Sequence, residues 1–237
     1  MKLARGSSTG LVVQARLGST RLPRKALLPL GGATMLDMVL ARLALVEAEV
    51  HILATEASSR DALAPIAARH GFELFVGPED DVLERYRLAI NEFGLERLIR
   101  ATGDNPLVCH EAANLLISRH ESEAADYASY VGLPLGMGVE FVSARALLAA
   151  AAASRDPYER EHVCPHLYNN PERFAIDRPD APAEYRFADG RVTVDTLRDY
   201  DFVRGLYGAY YDGRPIPTAK IMAAIMNRSG GEGPEAA

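Results

Sequence analysis

The chain alternates short apolar runs with longer stretches in which apolar residues recur every three or four positions. Short apolar runs bounded by turn residues are typical of strands, and the longer period is typical of amphipathic helices. The pattern predicts strands over residues 10–15, 49–55, 73–77, 97–103, 126–131, 138–143 and 190–196. It predicts helices over residues 34–47, 58–71, 80–94, 110–121, 143–154, 156–174 and 196–211.

Strands and helices alternate most regularly over residues 10–131, and this alternation predicts the fold class. Parallel strands need a crossover connection, which is usually a helix. We therefore expect an α/β fold of three layers, Rossmann-like, with helices on both faces of a mostly parallel, mixed central sheet. In such sheets ligands bind beyond the carboxyl ends of the strands.

Composition narrows the class of protein. The 237 residues carry a formal net charge of -6, and no stretch approaches the roughly 18 to 20 apolar residues that a membrane helix needs. The start, "MKLARGSSTG", has no apolar signal region. Two cysteines, Cys109 and Cys164, make neither a disulfide framework nor a metal cluster. These features predict a cytoplasmic protein that binds neither a membrane nor nucleic acid.

The segment "QARLGSTRLPRK" directly follows the first predicted strand and is unusually basic. Its cations are Arg16, Arg21, Arg24 and Lys25, with no acid among them. Small residues between cations let backbone N–H groups approach an anion. The segment matches neither the Walker loop nor the G-x-G-x-x-G fingerprint. We interpret it as a clamp for a di- or triphosphate; the alternative is a solvated basic turn.

Two aspartates stand at the ends of predicted strands, Asp104 in "ATGDNPL" and Asp195 in "VTVDTL". Carboxylates at such positions suit a magnesium ion that bridges phosphate oxygens. Each also has a simpler interpretation, since Asp104 fits an Asx turn, and Asp195 or Thr196 fits a helix cap. Together with the cationic segment, the pair forms the minimal set for metal-assisted phosphoryl transfer.

Five segments, in order, resemble the cytidylyltransferase family: "VVQARLGSTRLPRKALLPLGG", "EDDVLERY", "RATGDNPL", "EREHV" and "VTVDTLRDYDFV". The family includes the CMP-acylneuraminate and CMP-ketodeoxyoctonate synthetases, and the resemblance is strongest to its SpsF-like, spore-coat-polysaccharide branch. It covers residues 10–211. It implies a nucleotidyltransferase fold and a transfer of CMP from CTP to an acidic sugar, with release of pyrophosphate, for surface polysaccharide synthesis.

The resemblance also implies which residues act on the nucleotide. Arg16, Lys25 and Asp104 would be catalytic, and Asp104 and Asp195 would hold Mg²⁺. One departure is Glu56, which follows Thr55 where the family usually has aspartate. An ion pair between the helical residues Asp81 and Arg85 is the alternative to their binding role. The implied nucleotide-binding set is Ala15, Arg16, Leu17, Gly18, Ser19, Arg21, Lys25, Thr55, Asp81, Arg85 and Thr102.

The implied acceptor-binding residues are Glu140, Arg160, Glu161 and His162. A charged residue in an apolar strand is costly to bury unpaired, so Glu140 either pairs with Arg160 or holds an acceptor hydroxyl. His162 is either a proton carrier or a hydrogen-bonded helix residue. The segment "REHV" is alternatively a subunit contact.

We expect a single domain over residues 1–229, with a nucleotide-binding part at 10–131 and an acceptor and dimer part at 132–211. Residues 230–237 are predicted to be a disordered tail. The expected partners are CTP, a sugar-acid acceptor and a second copy of the chain.

Two other functions fit parts of the sequence. A nucleotide-sugar-dependent glycosyltransferase would typically show an Asp-x-Asp motif at a strand end, which this chain lacks. A non-catalytic polysaccharide-assembly protein would not need the cationic segment and both aspartates.

Overall fold

The computed structural model describes residues 8–19, 21–120 and 125–231. In chain order the strands are β1 (Thr9–Gln14), β2 (Pro29–Leu30), β3 (Ala33–Thr34), β4 (Val50–Thr55), β5 (Glu73–Val76), β6 (Arg97–Thr102), β7 (Tyr127–Ala128), β8 (Glu140–Ser143) and β9 (Ile176–Asp177). The α-helices are α1 (Met35–Leu43), α2 (Arg60–Arg69), α3 (Val82–Phe93), α4 (His110–His120), α5 (Ala144–Ala153), α6 (Pro157–His162), α7 (Pro165–Tyr168), α8 (Leu197–Tyr210) and α9 (Thr218–Gly231). Short 3-10 helices cover Lys25–Leu27 and Ala183–Tyr185.

The described strands, apart from β2 and β3, form one mixed sheet in the order β5–β4–β1–β6–β8–β7–β9. The strands β5, β4, β1 and β6 are parallel to one another. Strand β8 runs antiparallel to both β6 and β7, and β9 is parallel to β7. The carboxyl ends of the parallel strands therefore meet at one edge, where ligands bind in sheets of this kind.

Strand β1 lies at the centre of the sheet, and its alternate residues face opposite helical layers. Leu11 and Val13 pack in a buried cluster with residues of α1, α2 and α4. Val12, between them, packs in a second cluster with residues of α3, α5 and α7. The three-layer, mostly parallel α/β fold predicted from the sequence is confirmed.

In a third apolar cluster, side chains of the C-terminal part of the chain pack against residues from the earlier part. It contains Val192 and Val194 and the buried faces of α8 and α9. Arg42 of α1 crosses beneath it and is almost fully buried. Its guanidinium donates to the carbonyl of Ile216 (2.5 Å) and the hydroxyl of Thr218 (2.7 Å). Burial lowers the pKa of Arg42, so these partners are needed to hold a charge in the interior.

Two predicted elements differ from the structure. The helix expected over 156–174 is divided into α6 and α7, because Val163 between them has φ of 74° and forms a tight turn closed by Cys164 N–H and the carbonyl of His162 (2.9 Å). The strand expected over 190–196 does not join the sheet. Its valines pack into the third cluster instead, and Arg191 makes only an isolated bridge with Leu135.

Other elements were not predicted. Helix α9 includes residues 230–231, which were assigned to the disordered tail; the rest of that tail lies outside the described residues. Strands β2 and β3 form a hairpin whose turn residues, Gly31 and Gly32, have φ of 59° and 83°. Two successive positive φ values are what the type I′ turn of a two-residue hairpin requires, and glycine adopts them freely. No helix in the described ranges is long and apolar enough to cross a membrane.

Candidate active site

The basic segment forms the connection between β1 and the hairpin, at the carboxyl edge of the sheet. Ser59, before α2, accepts a hydrogen bond at its hydroxyl from the backbone N–H of Leu17 (2.9 Å). Arg24 N–H donates to the carbonyl of Leu17 (3.3 Å) and closes the segment on itself. Arg24 has φ of 53°, and the chain then enters the 3-10 turn that begins at Lys25. These contacts fold the segment back over the end of β1.

A cavity of about 380 Å³ opens beneath this segment. Its walls come from the end of β1, the end of β6, the first turns of α3, the end of α6 and the segment before α8. The lining residues are Gln14, Ala15, Arg16, Gly18, Ser19, Arg21, Lys25, Ala26, Val82, Arg85, Arg100, Thr102, Gly103, Asp104, Glu161, His162 and Asp195.

The ammonium group of Lys25 links the two predicted strand-end aspartates. Lys25 Nζ lies 2.9 Å from Asp104 Oδ2 and 3.2 Å from Asp195 Oδ1, and donates to the carbonyl of Val194 at 2.7 Å. The backbone N–H of Val194 donates in turn to the carbonyl of Asp104 (3.0 Å). The Lys25 side chain is only 14% exposed, so solvent screens these pairs weakly. The two carboxylates are thus held around one positive charge.

Asp195 also forms ion pairs with two arginines. Its Oδ1 accepts from Arg21 at 2.9 Å, and its Oδ2 accepts from Arg191 at 2.7 Å. The capping box of α8 fixes the backbone here, because Thr196 and Asp199 bond reciprocally at the helix start. The helix cap considered from the sequence is therefore provided by Thr196, and the Asp195 carboxylate points to the cations.

The donor set suits a hard divalent cation. Asp104 and Asp195 converge on the Lys25 nitrogen, so both carboxylates reach one cationic position. Carboxylate oxygens are the ligands that Mg²⁺ and Mn²⁺ prefer, with phosphate oxygens and water completing the shell. In the described ranges no group of three or more His, Cys, Asp or Glu side chains could hold a metal by itself. Asp104 and Asp195 would supply part of such a shell, and phosphate oxygens and water would have to supply the rest.

Close backbone contacts shape the wall between β1 and β6. Gly103 donates its N–H to the carbonyl of Gln14 (2.8 Å), and a Cβ at position 103 would lie 2.7 Å from the Ala15 Cβ. Only glycine fits there without a shift. Thr102 donates from its hydroxyl to Asp104 Oδ1 (2.5 Å) and accepts from Asn105 Nδ2 (2.9 Å). The Asp104 side chain is therefore held in place on two sides.

The predicted nucleotide-binding residues divide into two groups. Ala15, Arg16, Gly18, Ser19, Arg21, Lys25, Arg85 and Thr102 line the cavity. Leu17, Thr55 and Asp81 do not.

Arg85 and Thr55 are held by local contacts. Arg85 does not form the helical ion pair with Asp81 considered from the sequence; it donates to the carbonyls of Pro78 (2.9 Å) and Glu79 (3.0 Å). The Thr55 hydroxyl is fully buried and donates to Glu56 (2.7 Å). Burial would raise the pKa of Glu56, but the hydroxyls of Ser59, Thr55 and Ser58 outweigh it and lower the pKa.

The predicted acceptor-binding residues also divide. Glu161 and His162 line the mouth of the cavity, where Glu161 lies 3.3 Å from Arg16 and the exposed His162 ring packs on Tyr158. Arg160 does not line the cavity. It ties α6 to the start of α3 through Asp81 (2.6 Å).

The predicted pairing of Glu140 with Arg160 is wrong. Glu140 pairs with Arg100, its cross-strand neighbour in the β6–β8 register, and accepts a hydrogen bond from Tyr127 (2.8 Å). Burial alone would lower the pKa of Arg100, but the Glu140 carboxylate outweighs it and raises the pKa. The strand register brings these two charges together, and the sequence does not reveal that register.

Five lining residues were not assigned to the site from the sequence: Gln14, Ala26, Val82, Arg100 and Gly103. Arg100 carried a usable signal, since an arginine inside an apolar strand needs a partner and Glu140 stands in the same situation.

The family model for cytidylyltransferases matches residues 11–214 of the chain. The spore coat polysaccharide biosynthesis protein SpsF of Bacillus subtilis is 33% identical over 226 residues, which cover 92% of this chain and 93% of that protein. A 3-deoxy-manno-octulosonate cytidylyltransferase of Leptothrix cholodnii is 35% identical over 103 residues, covering 41% of this chain and 37% of that enzyme.

Solved structures agree with the family match. A cytidylyltransferase from Leptospira borgpetersenii has a TM-score of 0.88 at 25% identity, covering 98% of this chain and 100% of that one. The fold of Rv0371C from Mycobacterium tuberculosis, solved in complex with manganese, is also similar, with a TM-score of 0.60 at 19% identity, covering 83% of this chain and 97% of that one. The fold is thus that of the nucleotidyltransferases. The chain belongs to the cytidylyltransferase family and is a CTP-dependent nucleotidyltransferase.

Proposed function

We propose that the protein transfers CMP from CTP to an acidic sugar, of the nonulosonic-acid type or related, and releases pyrophosphate. The observation that supports this most directly is the cavity at the end of β1 and β6, where Lys25, Asp104 and Asp195 meet. The names of two relatives bear on the acceptor: one is a 3-deoxy-manno-octulosonate cytidylyltransferase, and the other acts in spore coat polysaccharide biosynthesis. A role in surface polysaccharide synthesis follows from the proposed acceptor.

In the proposed reaction an acceptor oxygen attacks the α-phosphorus of CTP. The bond between that phosphorus and the oxygen bridging to the β-phosphorus breaks, and pyrophosphate leaves with that oxygen. The proton of the acceptor hydroxyl passes to solvent or to a nearby base. The residues of the chain supply position and charge rather than covalent chemistry, as is usual in phosphoryl transfer.

Lys25, Arg16 and Arg21 bind the phosphates and balance the charge that grows on the leaving group. All three line the cavity, and their present partners are carboxylates, which phosphate oxygens replace. Asp104 and Asp195 would hold a divalent cation, for which we propose Mg²⁺; a structure of similar fold contains manganese. When bound, such a cation polarises phosphate oxygens and lowers the pKa of a bound hydroxyl.

The remaining lining residues are assigned by position. Ala15, Gly18, Ser19, Arg85 and Thr102 belong to the proposed nucleotide side, and Leu17, Thr55 and Asp81, which do not line the cavity, lie behind it. Glu161 and His162, at the mouth, belong to the proposed acceptor side, and Arg160 and Glu140 support that side from behind.

We also propose that the protein is a homodimer and acts in the cytoplasm.

Pyrophosphate release from CTP and MgCl₂ in the presence of a panel of sugar acids tests the function. We expect release with at least one sugar acid and with CTP in preference to UTP, ATP or GTP. Parallel reactions with MnCl₂ and with excess EDTA test the divalent cation. The absence of release across the whole panel, with every nucleotide and both metals, would overturn the proposal.

A further inference from the structure

Gln14, the last residue of β1, lines the cavity and has no role in the function proposed so far. Its side-chain carbonyl Oε1 accepts a hydrogen bond from Arg100 Nη2 at 3.2 Å. The Arg100 guanidinium is held in turn by the Glu140 carboxylate, and Glu140 by the Tyr127 hydroxyl. Two side chains, Glu140 directly and Tyr127 through Glu140, therefore hold the group that Gln14 faces.

This chain of contacts determines which way the Gln14 amide points. A guanidinium donates hydrogen bonds and accepts none, so the atom that faces Arg100 must be the amide oxygen. The NH₂ group then points away from Arg100. In the part of the chain that the structure describes, that NH₂ group has no hydrogen-bond partner. A directed donor is thus left on the cavity wall.

The charged side chain that Gln14 contacts is itself paired. The positive charge of Arg100 is matched by Glu140, whereas Lys25, Arg21 and Arg16 lie on the loop that folds over the cavity. An uncharged donor beside a paired charge suits a hydroxyl or carbonyl oxygen better than a phosphate. The cavity therefore has a wall that is chemically distinct from its phosphate-binding end.

The geometry points to Gln14 as a positioning residue that donates a hydrogen bond to the nucleoside of CTP, at a ribose hydroxyl or the cytosine carbonyl. Gln14 pairs in register with Thr102 of β6 and precedes Ala15 and Arg16, so it stands beside the groups around the phosphates. The nucleoside is covalently joined to the triphosphate and must lie next to it. This inference rests on the nucleotide side of the proposed function and is independent of the acceptor.

Calorimetric titration of the full chain with CTP and with tripolyphosphate tests it. Gln14→Met keeps the length of the side chain and removes the donor. We expect its affinity for CTP to fall about 3- to 10-fold, the effect of one neutral hydrogen bond. Its affinity for tripolyphosphate, which lacks the nucleoside, should stay within about twofold, because no phosphate contact changes. Thermal melting checks that the variant is folded.

Gln14→Glu is the matched second variant, because its carboxylate still accepts from Arg100 but offers no donor. Its added charge weakens both ligands, so the ratio of the two dissociation constants is compared with that of the unaltered protein. We expect that ratio to shift against CTP by the same about 3- to 10-fold.

Titrations with 2′-deoxy- and 3′-deoxy-CTP identify the contacted oxygen. The unaltered protein and the Gln14→Met variant should bind the analogue that lacks this oxygen equally well, because the hydrogen bond is then missing from both complexes. If the difference between the two proteins persists with both analogues, the cytosine carbonyl is the contacted group.

An unchanged ratio in both variants would overturn the role of Gln14 and leave the nucleotidyl transfer intact. A failure of the sugar-acid panel, with the shift in ratio still present, would overturn only the proposed acceptor. If the unaltered protein did not bind CTP, both proposals would be wrong.

Discussion

At the scale of single residues, Lys25 occupies the centre of the site. Its nitrogen contacts two carboxylates and a backbone carbonyl, an arrangement that satisfies all three of its donors. In the proposed function the same group exchanges part of these contacts for phosphate oxygens. A single side chain thus bridges Asp104 and Asp195 on the cavity wall.

Lys25→Ala should therefore reduce CTP-dependent pyrophosphate release by about 100-fold or more, the usual effect of removing one charge-stabilising donor. Arg24→Asn is the matched control, because it removes a positive charge from the same segment at a residue that does not line the cavity. Asparagine tolerates the positive φ of position 24. Steady-state kinetics with Mg²⁺ measures both; equal losses in the two variants would contradict a specific role for Lys25.

Many of the residues that line the cavity were predicted from the motif segments and the family resemblance that they carry. Several of these segments follow strands whose ends share one edge of the sheet. The sequence could not reveal which partners the long charged side chains bind. Asp81 and Arg85 are one turn apart, yet each has a different partner: Arg160 for Asp81, and backbone carbonyls for Arg85. Such choices depend on tertiary neighbours that no local spacing encodes.

At the scale of elements, the alternation of strands and helices was predictable up to β6, because each buried strand and each amphipathic helix has its own period. Beyond it β8, α4, α5 and α8 were also predicted, but other elements were not predicted as the structure has them. The division between α6 and α7 depends on one backbone conformation, at Val163. The alternation in 190–196 reflects burial in the third cluster rather than strand pairing. Helix α9 shows the helical spacing in Ile221, Met222 and Ile225, and this signal was available.

The start of α1 provides a pH-dependent contribution to stability. Burial would raise the pKa of Asp37, but the capping bonds from Thr34 and the contacts from His70 and Arg69 outweigh it and lower the pKa below the ordinary 3.8. A lowered pKa stabilises the fold above the unfolded-state value, and the contribution disappears as pH falls through the folded-state value. Asp37 thus joins α1 to the end of α2 most strongly at neutral pH.

Asp37→Asn should lower the free energy of unfolding by about 1–3 kcal/mol at pH 7, from the loss of the cap and its charge-assisted bonds. The difference from the unaltered protein should shrink as pH falls below about 4, because the Asp37 carboxylate is then protonated, first in the unfolded chain and at lower pH in the folded protein. Urea denaturation at pH 7 and pH 3 measures it. Asp61→Asn, an exposed aspartate in the first turn of α2, serves as the control. A difference that is the same at both pH values would contradict this account.

At the scale of the whole molecule, the described residues form three apolar clusters in the interior, and the third depends on the C-terminal residues. The last helix predicted from the sequence ended at residue 211, but Ile216, Ile221, Met222 and Ile225 beyond it are buried. Arg42 also finds its partners there. The C-terminal segment is therefore part of the fold.

Removal of residues 212–237 should lower the melting temperature by about 10 °C or more, since it uncovers apolar side chains and removes two of the hydrogen-bond partners of the buried Arg42 guanidinium, leaving only the carbonyl of Val108. Differential scanning calorimetry measures the loss. The variant Arg42→Met in the shortened chain separates the two effects and should recover part of the stability. Melting of the shortened chain at the temperature of the full chain would contradict the role of this segment.

Val194 connects that outer cluster to the chemistry. Its side chain is fully buried, its carbonyl accepts from Lys25, and its N–H donates to the carbonyl of Asp104. Val194 therefore belongs to the apolar interior through its side chain and supports Lys25 and Asp104 through its backbone. Substitutions that loosen the packing of α8 or α9, at a distance from the cavity, should therefore change the turnover rate by displacing Val194. Evolution could then change the reaction rate through substitutions in the C-terminal helices, while the residues that line the cavity stay the same.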